Sequence, residues 1–426
     1  MNTVNDPKPR IVTIAAVYLS GLLLGLVLIL FPSAGPLFRN PALHGLSSSQ
    51  FGVLFTPQTV MAIAAAFAAA AIAGRFGMKR VLLLGLGMIT LSLALATLSH
   101  FVIGVGNLPF LTLLAATAGL GDGFGLGITA LNAYAFDLFP GREDAAIVGI
   151  HVMTGIGQIG AALLLSLFTG GGANIAAWWG APLSVAIIVI LMMGFQSRLP
   201  LRLSSENQHD AARSAQSLKQ LPPRIWVYVL IVFTYGAIEG TFGNFAPLYL
   251  QNSAGLTPAD VAVGLSFFWG ALTIGRVLFA ALTLRLNTEP LYAITPVIIG
   301  AVFLLLSALK GTAPNFIALG AAGLALSFFF PYSISRASAE QPLLTAAVSG
   351  ALVAALQLGI GFSGIVVGAA NEQVALADIF RLSTVYAVIL LSGVIYLNTR
   401  TVEKRMDERL PCPTLPCVQA LEKKSP

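Results

Sequence analysis

Long apolar stretches alternate with short polar ones along almost the whole chain. A helix needs about 20 mostly apolar residues to cross a bilayer, and twelve stretches reach that length. They lie at 11–31, 51–73, 81–101, 108–136, 144–168, 176–196, 225–250, 258–283, 290–309, 315–335, 342–369 and 379–397. The pattern predicts an all-α polytopic membrane protein with twelve transmembrane helices, numbered below as spans 1 to 12. The first stretch has no small-residue cleavage site, which favours a retained span over a signal peptide.

The basic residues between these spans fall almost entirely on one side of the predicted bundle. With the N-terminus in the cytoplasm, only Arg39, Lys310 and Arg381 lie on outer segments, and Arg276 lies within span 8. All other lysines and arginines lie on cytoplasmic segments. Cytoplasmic loops of membrane proteins are enriched in lysine and arginine. The asymmetry therefore predicts a multi-pass protein of the inner (plasma) membrane with both termini in the cytoplasm.

The composition indicates that lipid is the main solvent of the folded chain. Its 426 residues are 57% hydrophobic and 9% charged, with a mean hydropathy of +0.86, whereas soluble domains carry about 25% charged residues. We interpret the net charge of +6 as juxtamembrane charge that faces the anionic inner leaflet. The bilayer is therefore a predicted partner, and nucleic acid is not.

The longest polar stretch inside the chain separates six spans from six more. It predicts an N-terminal six-helix bundle at 1–196, a cytoplasmic linker at 197–223, a C-terminal six-helix bundle at 224–398 and a cytoplasmic tail at 399–426. Two pseudo-symmetric bundles around a site at the midplane are typical of secondary transporters. Channels are more often oligomers of few spans, so we predict a monomeric transporter.

Three glycines of the stretch "TGIGQIGAAL", namely Gly155, Gly157 and Gly160, have the spacing of a dinucleotide-binding fingerprint. That fingerprint requires a strand before it and a helix after it, but these glycines lie in the middle of span 5. Close glycines let transmembrane helices approach one another, so we interpret them as packing surface. The same interpretation, with a pliable helix as the alternative, applies to the glycines of span 4: Gly119, Gly121, Gly123, Gly125 and Gly127.

The sequence contains no cluster typical of a catalytic or metal-binding site. Its four histidines lack helical metal-ligand spacing, and its carboxylates are scattered. Cys412 and Cys417 lie in the tail "PCPTLPC", where a reducing cytoplasm favours free thiols. We therefore predict that the protein is not an enzyme and uses neither a metal nor a cofactor.

The loop after span 2, "GRFGMKR", resembles the loop signature of the major facilitator superfamily between its second and third helices. Arg75, Gly77, Lys79 and Arg80 match this basic, glycine-containing turn, whereas Gly74 stands where the signature has an acid. The resemblance extends over nearly the whole chain. It implies the major facilitator fold and a cytoplasmic gate loop formed by these matching residues.

Three further stretches are similar to the fucose permease-like branch of sugar:proton symporters. They are "GLGDGFGLGITALNAYAFDLFPGR", "GIHVMTGIGQIGA", and "YGAIEGTFGNFAPLYL" followed by "FFWGALTIGRVL". The proton-linked acid of that branch lies in span 4 about one turn before the asparagine, a place held here by Ile128. Antiporters of the superfamily carry a Gly-Pro signature in span 5, which "GQIGAALL" lacks. The resemblance therefore implies proton-coupled uptake of a sugar.

Two acids, Asp122 in span 4 and Glu239 in span 7, are the only ones near the predicted bilayer midplane. A charge at that depth costs about 2.5–3.5 kcal/mol on insertion scales, and such residues commonly have a function. Apolar surroundings also favour the protonated form of a carboxyl group. Glu239 is therefore the first candidate for proton coupling and Asp122 the second. For both, the alternative is a structural, hydrogen-bonded acid.

Several polar and aromatic residues inside the spans are candidates for substrate binding. They are Asn132, His151, Gln158, Tyr235, Asn244, Trp269, Tyr332 and Gln357. Each also has a structural alternative, because amides could join helices, Asn132 could bond His151, and aromatic rings could pack or anchor at the interface. Arg276 lies in the inner half of span 8, where its charged side chain needs a hydrogen-bond or ion-pair partner. A backbone carbonyl, a tail acid and a gate ion pair are the alternatives.

The first functional hypothesis is a secondary transporter that works by alternating access and takes up a sugar or small polar metabolite with protons. Sodium is the alternative coupling ion. A proton-driven exporter of a drug or metabolite is one alternative function. A transport-dead membrane receptor or assembly protein is another.

Overall fold

The structure is a computed structural model, and it describes residues 7–139, 142–201, 221–282, 289–341 and 344–407. These residues form α-helices and two short 3₁₀ helices, with no strand among them. Twelve helical segments in this part of the chain are long and apolar enough to cross a membrane. Each overlaps one predicted span, so the twelve-span, all-α prediction is confirmed.

Several spans consist of two consecutive helices. The helices of spans 1–6 are Pro7–Ser33, Gly35–Arg39, Ser48–Val53, Phe55–Phe76, Met78–Phe101, Leu108–Leu138, Glu143–Phe168 and Gly180–Arg198, with 3₁₀ helices Gly170–Gly172 and Ile175–Trp179 before the last. Those of spans 7–12 are Pro223–Asn252, Pro258–Leu282, Glu289–Leu306, Thr312–Leu326, Phe329–Glu340, Thr345–Ala370, Leu376–Leu382 and Thr384–Asp407. Spans 1, 2, 10 and 12 are therefore interrupted.

The interruption of span 10 differs from the continuous helix that the sequence pattern predicts. Its first helix ends at Leu326, and its second begins at Phe329. Pro331 lies four residues after Ser327, where its ring and missing N–H disfavour a continuous helix. The Leu326 carbonyl at the break accepts a hydrogen bond from the Tyr235 hydroxyl of span 7 at 3.2 Å. Such a partner is needed where a membrane helix is broken.

The glycines of span 4 pack on three neighbouring helices, which confirms their predicted role. Gly119 and Gly123 face span 3, Gly121 and Gly125 face span 2, and Gly127 faces span 1. A Cβ added at Gly121 would lie 2.2 Å from the carbonyl oxygen of Gln58. Only glycine permits this approach of spans 2 and 4.

Spans 1–6 pack mainly on one another, as do spans 7–12, and we call these two sets the N bundle and the C bundle. Two main interfaces join the bundles, because span 5 packs on span 8 and span 2 packs on span 11. The exact bundle boundaries stay predictions. Most of the predicted linker, and the tail with Cys412 and Cys417, lie outside the described residues.

The bundles are joined by hydrogen bonds at one end of the spans, which we call the outer end after the predicted orientation. There the Ser48 hydroxyl donates to the carbonyl oxygen of Asn371 at 3.3 Å. The backbone N–H of Ser49 donates to Oε1 of Glu372 at 2.7 Å. These bonds connect the start of span 2 to the loop after span 11. In this conformation they hold the outer ends of spans 2 and 11 together.

Candidate functional site

The interface between spans 5 and 8 is antiparallel and in register. The Ser266 hydroxyl donates to the carbonyl oxygen of Ile159 at 2.9 Å. Further from the outer end, about one turn along span 5 and two turns along span 8, Gly155 lies against the side chain of Thr273. Along this interface, residue numbers therefore increase on span 5 as they decrease on span 8. This register brings polar side chains of the two spans to the interface.

Gln158 and Trp269 lie at the same depth of this interface. Gln158 shares a helix face with Gly155, and Trp269 shares one with Thr273, by their spacing of three and four residues. Both side chains are buried, yet Oε1 of Gln158 and Nε1 of Trp269 have no hydrogen-bond partner among the described residues. An unpaired buried polar group costs about 1–3 kcal/mol. A hydroxyl group can donate to the first atom and accept from the second.

A second pair of unpaired polar atoms lies where span 2 meets span 7. Phe51 and Phe55 of span 2 contact Phe245 of span 7, with ring centroids 5.6 and 6.4 Å apart. Gln58 follows Phe55 by about one turn, and Asn244 precedes Phe245 in the chain. Within the described ranges, Oε1 of Gln58 and Nδ2 of Asn244 are buried without a hydrogen-bond partner. Again the acceptor belongs to the N bundle and the donor to the C bundle.

A cluster of ionisable side chains lies further in. Tyr235 lies one turn before Glu239 on span 7 and interacts with Glu239 and with Arg276 of span 8. Arg276 also interacts with His151 of span 5, so the cluster extends from the C bundle to the N bundle. Glu239 and Arg276 do not form a direct salt bridge in the part of the chain that the structure describes. Nε of Arg276 is buried there without a hydrogen-bond partner.

Tyr235 holds this cluster in a fixed position. Its side chain is fully buried, and its ring stacks on Phe329 and Phe330 with centroids 5.9 and 6.0 Å apart. Its hydroxyl also bonds Leu326 at the break in span 10. The same hydroxyl therefore bonds the interrupted helix and interacts with the acid and the arginine.

Asp122, the second candidate for proton coupling, lies apart from this cluster. Its neighbours in the chain, Gly121 and Gly123, face spans 2 and 3. An α-helix turns by about 100° per residue, so Asp122 falls between these two faces. This position is within the N bundle, beside the contact of spans 2 and 3. The geometry therefore favours Glu239 as the coupling acid.

The other predicted substrate residues lie in three environments. Oδ1 of Asn132 is buried and unpaired, and no hydrogen bond joins Asn132 to His151 among the described side chains. The backbone carbonyl of Gln357 accepts a hydrogen bond from Thr59 at 3.2 Å, which places it on the span 2–11 interface. Tyr332 packs on aromatic rings within the C bundle. The structure thus brings Gln158, Trp269 and Asn244 to the bundle interface more directly than Tyr332.

The predicted gate loop is a tight turn between spans 2 and 3. Gly77 ends one helix and precedes the next with φ +81°, a conformation that favours glycine. Nζ of Lys79 donates to two backbone carbonyls at the C-terminal end of span 6, at 2.7 and 2.8 Å, where a cation is stabilised by the helix dipole. Arg75 and Arg80 are exposed. The bonds of Lys79 therefore lie within the N bundle, and a gate role of the loop stays a prediction.

The glycines of the apparent dinucleotide fingerprint lie inside a continuous helix. A Cβ at Gly157 would lie 1.9 Å from the carbonyl oxygen of Leu22 in span 1, and one at Gly155 would meet Thr273. Gly160 faces open space. The packing interpretation is confirmed for Gly155 and Gly157, and not for Gly160.

The family model of the Major Facilitator Superfamily matches residues 11–368 of the chain. The chain therefore belongs to the major facilitator superfamily, and it is a multi-pass membrane transporter rather than an enzyme. This result confirms the resemblance to the superfamily that the gate loop indicates. The match covers the N bundle, spans 7 to 11 of the C bundle and every residue of the site described above.

Three solved transporters have the same fold. The nucleoside transporter NupG has a TM-score of 0.72 at 15% identity, over 90% of this chain and 99% of its own. A D-xylose-proton symporter has a TM-score of 0.68 at 15% identity, over 90% of this chain and 96% of its own. The fucose:proton symporter FucP of E. coli has a TM-score of 0.60 at 18% identity, over 91% of this chain and 98% of its own. At these identities the likeness shows the fold alone.

A relative in sequence is an uncharacterised transporter of the same superfamily from Yersinia pestis. It is 25% identical over 241 residues, which are 55% of this chain and 56% of that protein. The chain thus spans little more than half the length of this relative.

Proposed function

We propose that the protein takes up a sugar or similar hydroxylated metabolite together with protons. It acts as a monomer in the inner (plasma) membrane, with both termini in the cytoplasm and by alternating access. The observation that carries the proposal is the arrangement of buried polar atoms. The described part of the chain has buried, unpaired acceptors on spans 2 and 5 of the N bundle and buried, unpaired donors on spans 7 and 8 of the C bundle. A molecule with several hydroxyl groups satisfies both sets and links the two bundles.

Glu239 is the proposed proton site. It lies near the middle of span 7, where a lasting charge is costly, and its neighbour Tyr235 connects it to Arg276. Proton uptake removes the attraction between the carboxylate and the guanidinium. The two spans that carry them are then free to change their relative position. Asp122 is a second, weaker candidate for a proton site.

The named functions of structures with the same fold agree with this proposal. Two of them are proton symporters of xylose and fucose, and a third is a nucleoside transporter. These substrates all carry several hydroxyl groups. A ligand of this kind fits the pairs of acceptors and donors described above.

The test uses purified protein in liposomes and a panel of labelled sugars and nucleosides. A proton gradient, but not a sodium gradient, should drive accumulation of at least one of them. Glu239→Gln keeps the shape of the side chain and removes its titration. It should abolish accumulation against a gradient while counterflow of preloaded substrate persists. Asp122→Asn is the matched variant, because it removes the other midplane acid from a position within the N bundle.

Two results contradict the proposal. One is a Glu239→Gln variant that still concentrates substrate with the proton gradient of the wild type. The other is a wild type in which no proton gradient drives accumulation of any member of the panel. Loss of coupling in Asp122→Asn alone would move the proton site to span 4.

A further inference from the structure

Arg276 has an environment that a neutral sugar does not explain. It lies in the inner half of span 8, and Nε of its guanidinium is buried without a hydrogen-bond partner among the described residues. The side chains that interact with it are Tyr235 and His151, and no acid in the described ranges forms a salt bridge with it. A guanidinium has five N–H donors and keeps its charge at any physiological pH. A cation held in this way needs an anionic partner.

Glu239 supplies that partner only while it is ionised. The carboxylate and the guanidinium then both interact with the Tyr235 hydroxyl. Once Glu239 takes up a proton, Arg276 is left as an uncompensated charge in a setting of low dielectric constant, where charges interact strongly. An anion from outside the protein restores neutrality at that moment. Proton binding and anion binding therefore favour each other.

The position of Arg276 connects it to the hydroxyl-binding pair. Trp269 and Arg276 are seven residues apart on span 8, about 10 Å along the axis and on nearly the same face. Side chains of an α-helix lean toward its N-terminus. The N-terminus of span 8 is at the outer end, so we expect the long side chain of Arg276 to lean toward the level of Trp269. A small molecule with hydroxyls at one end and an anionic group at the other can contact both.

We infer that the substrate carries a carboxylate that Arg276 binds, and that it is a sugar acid or a similar hydroxylated carboxylate. This inference rests on the proposed proton-coupled uptake and specifies its substrate. A guanidinium and a carboxylate form two parallel charge-assisted hydrogen bonds. The empty carrier then holds a carboxylate opposite an arginine, and the loaded carrier holds a protonated glutamate, an arginine and the substrate anion. Both forms are neutral, so one proton and one anion cross without net charge movement.

The first experiment measures binding to purified protein in detergent, with D-gluconate and D-glucuronate as acidic probes and D-glucose as the neutral one. Protection against thermal unfolding gives the half-saturating concentration of each. At least one acid should bind about tenfold more tightly than glucose, the size expected for a charge-assisted contact. Arg276→Gln should remove this preference, and Arg276→Lys should retain part of it. Arg381→Gln is the matched control, because Arg381 lies at the outer start of span 12, beside Ser307 and Asp378.

The second experiment measures transport of the same probes in liposomes. Accumulation of the acid should follow the pH gradient and be insensitive to a potassium diffusion potential imposed with valinomycin. The inference is overturned if the wild type binds glucose as tightly as both acids, or binds neither acid. It is also overturned if Arg276→Gln keeps the preference, or if a membrane potential alone drives uptake. Proton-driven glucose uptake without uptake of either acid would overturn the inference and leave the proposed function standing.

Discussion

The two interfaces between the bundles are built from different chemistry. Between spans 2 and 11, backbone meets backbone: Gly52 lies so close to Gly364 that an added Cβ would be 2.1 Å from its carbonyl oxygen. Between spans 5 and 8, the side chains of Ser266 and Thr273 meet the backbone of span 5, and Gln158 and Trp269 leave polar atoms unpaired. A contact in which backbones pack directly on each other suits two helices that must meet in a single arrangement. Unpaired polar atoms reduce stability and suit a contact that recognises a third molecule.

The largest effect is expected at Gly52. In Gly52→Leu the new side chain would collide with the backbone of span 11, which cannot yield as a side chain can. The outer end should then fail to close, and transport should fall about tenfold or more, because overpacking of this kind costs about 1–3 kcal/mol. Uptake in liposomes measures the loss. Increased labelling of a cysteine introduced at Ser49 measures the opening.

Gly87→Leu is the control for this change. Gly87 lies in span 3 and has no atom within 4 Å of an added Cβ. It should transport like the wild type. Normal transport and unchanged labelling in Gly52→Leu would show that the span 2–11 interface tolerates bulk, and the contrast between the interfaces would be lost.

A smaller effect is expected from exchanging one polar group in each interface. Gln158→Leu removes an acceptor that only the substrate satisfies in the proposed site, so substrate affinity should fall about tenfold, equivalent to about 1.4 kcal/mol. Thermal stability of the empty protein should be equal to or above that of the wild type. Thr59→Val removes the 3.2 Å bond to the Gln357 carbonyl. It should lower the free energy of unfolding by about 0.5–1.5 kcal/mol and leave affinity unchanged.

Both quantities can be measured on the same purified samples, by substrate protection and by thermal unfolding. The opposite assignment, with Thr59→Val reducing affinity and Gln158→Leu reducing stability, would place substrate recognition at the span 2–11 interface.

A smaller difference in thermal stability is expected between two glycine-to-alanine substitutions, one in each interface. A Cβ at Gly155 would lie 2.2 Å from the Thr273 hydroxyl oxygen, and a side chain can rotate away where a backbone cannot. Gly155→Ala should therefore reduce thermal stability less than Gly52→Ala. In the background Thr273→Ala, Gly155→Ala should cost less than in the wild type, because only the Cβ of residue 273, at 3.0 Å, still opposes the new methyl group. An undiminished cost in that double variant would show that the backbones of spans 5 and 8, rather than their side chains, limit the contact.

The smallest effect concerns pH at the outer end. The N–H of Ser49 donates to Glu372, and this bond, with the hydroxyls of Ser47 and Ser49 and the charge of Arg39, lowers the pKa of that exposed carboxyl below its usual value of 4.5. A lowered pKa stabilises the bonded state above pH 4.5, and the stabilisation is lost as pH falls through the lowered value. Labelling of the outer-end cysteine should thus rise slightly at acid pH. Glu372→Gln should remove this dependence, and an unchanged profile in that variant would assign it to another group.

The number and class of the spans follow from the sequence because lipid imposes both a minimum length and an apolar composition. The midplane acid and the polar residues of spans 5, 7 and 8 are also visible, since a polar residue in lipid is rare. The sequence analysis did not select Gln58, although it is also a polar residue within an apolar span, span 2. Its importance depends on Phe51, Phe55 and Phe245, which bring it to span 7.

The break in span 10 and the Tyr235–Arg276 contact are harder to predict. Pro331 marks the break, but Pro247 and Pro296 lie within continuous helices, so proline alone does not identify an interruption. The contact of Tyr235 with Arg276 depends on how spans 7 and 8 are rotated. Asp122 illustrates the same limit, because depth alone makes it equivalent to Glu239, and only the facing of its neighbouring glycines separates the two.

The interlocking of spans 7 and 11 has a consequence for how the protein is made. Gly236 of span 7 lies against the Leu356 backbone, and Gly359 of span 11 lies against the Phe233 backbone. These partners are about 120 residues apart in the chain, and a ribosome adds about 5–20 residues per second. Span 7 therefore waits on the order of 6–25 s in the membrane, carrying Glu239 and an open glycine groove, before its partner is synthesised. During that interval, retention of the nascent helix depends on the insertion machinery or on the spans already released.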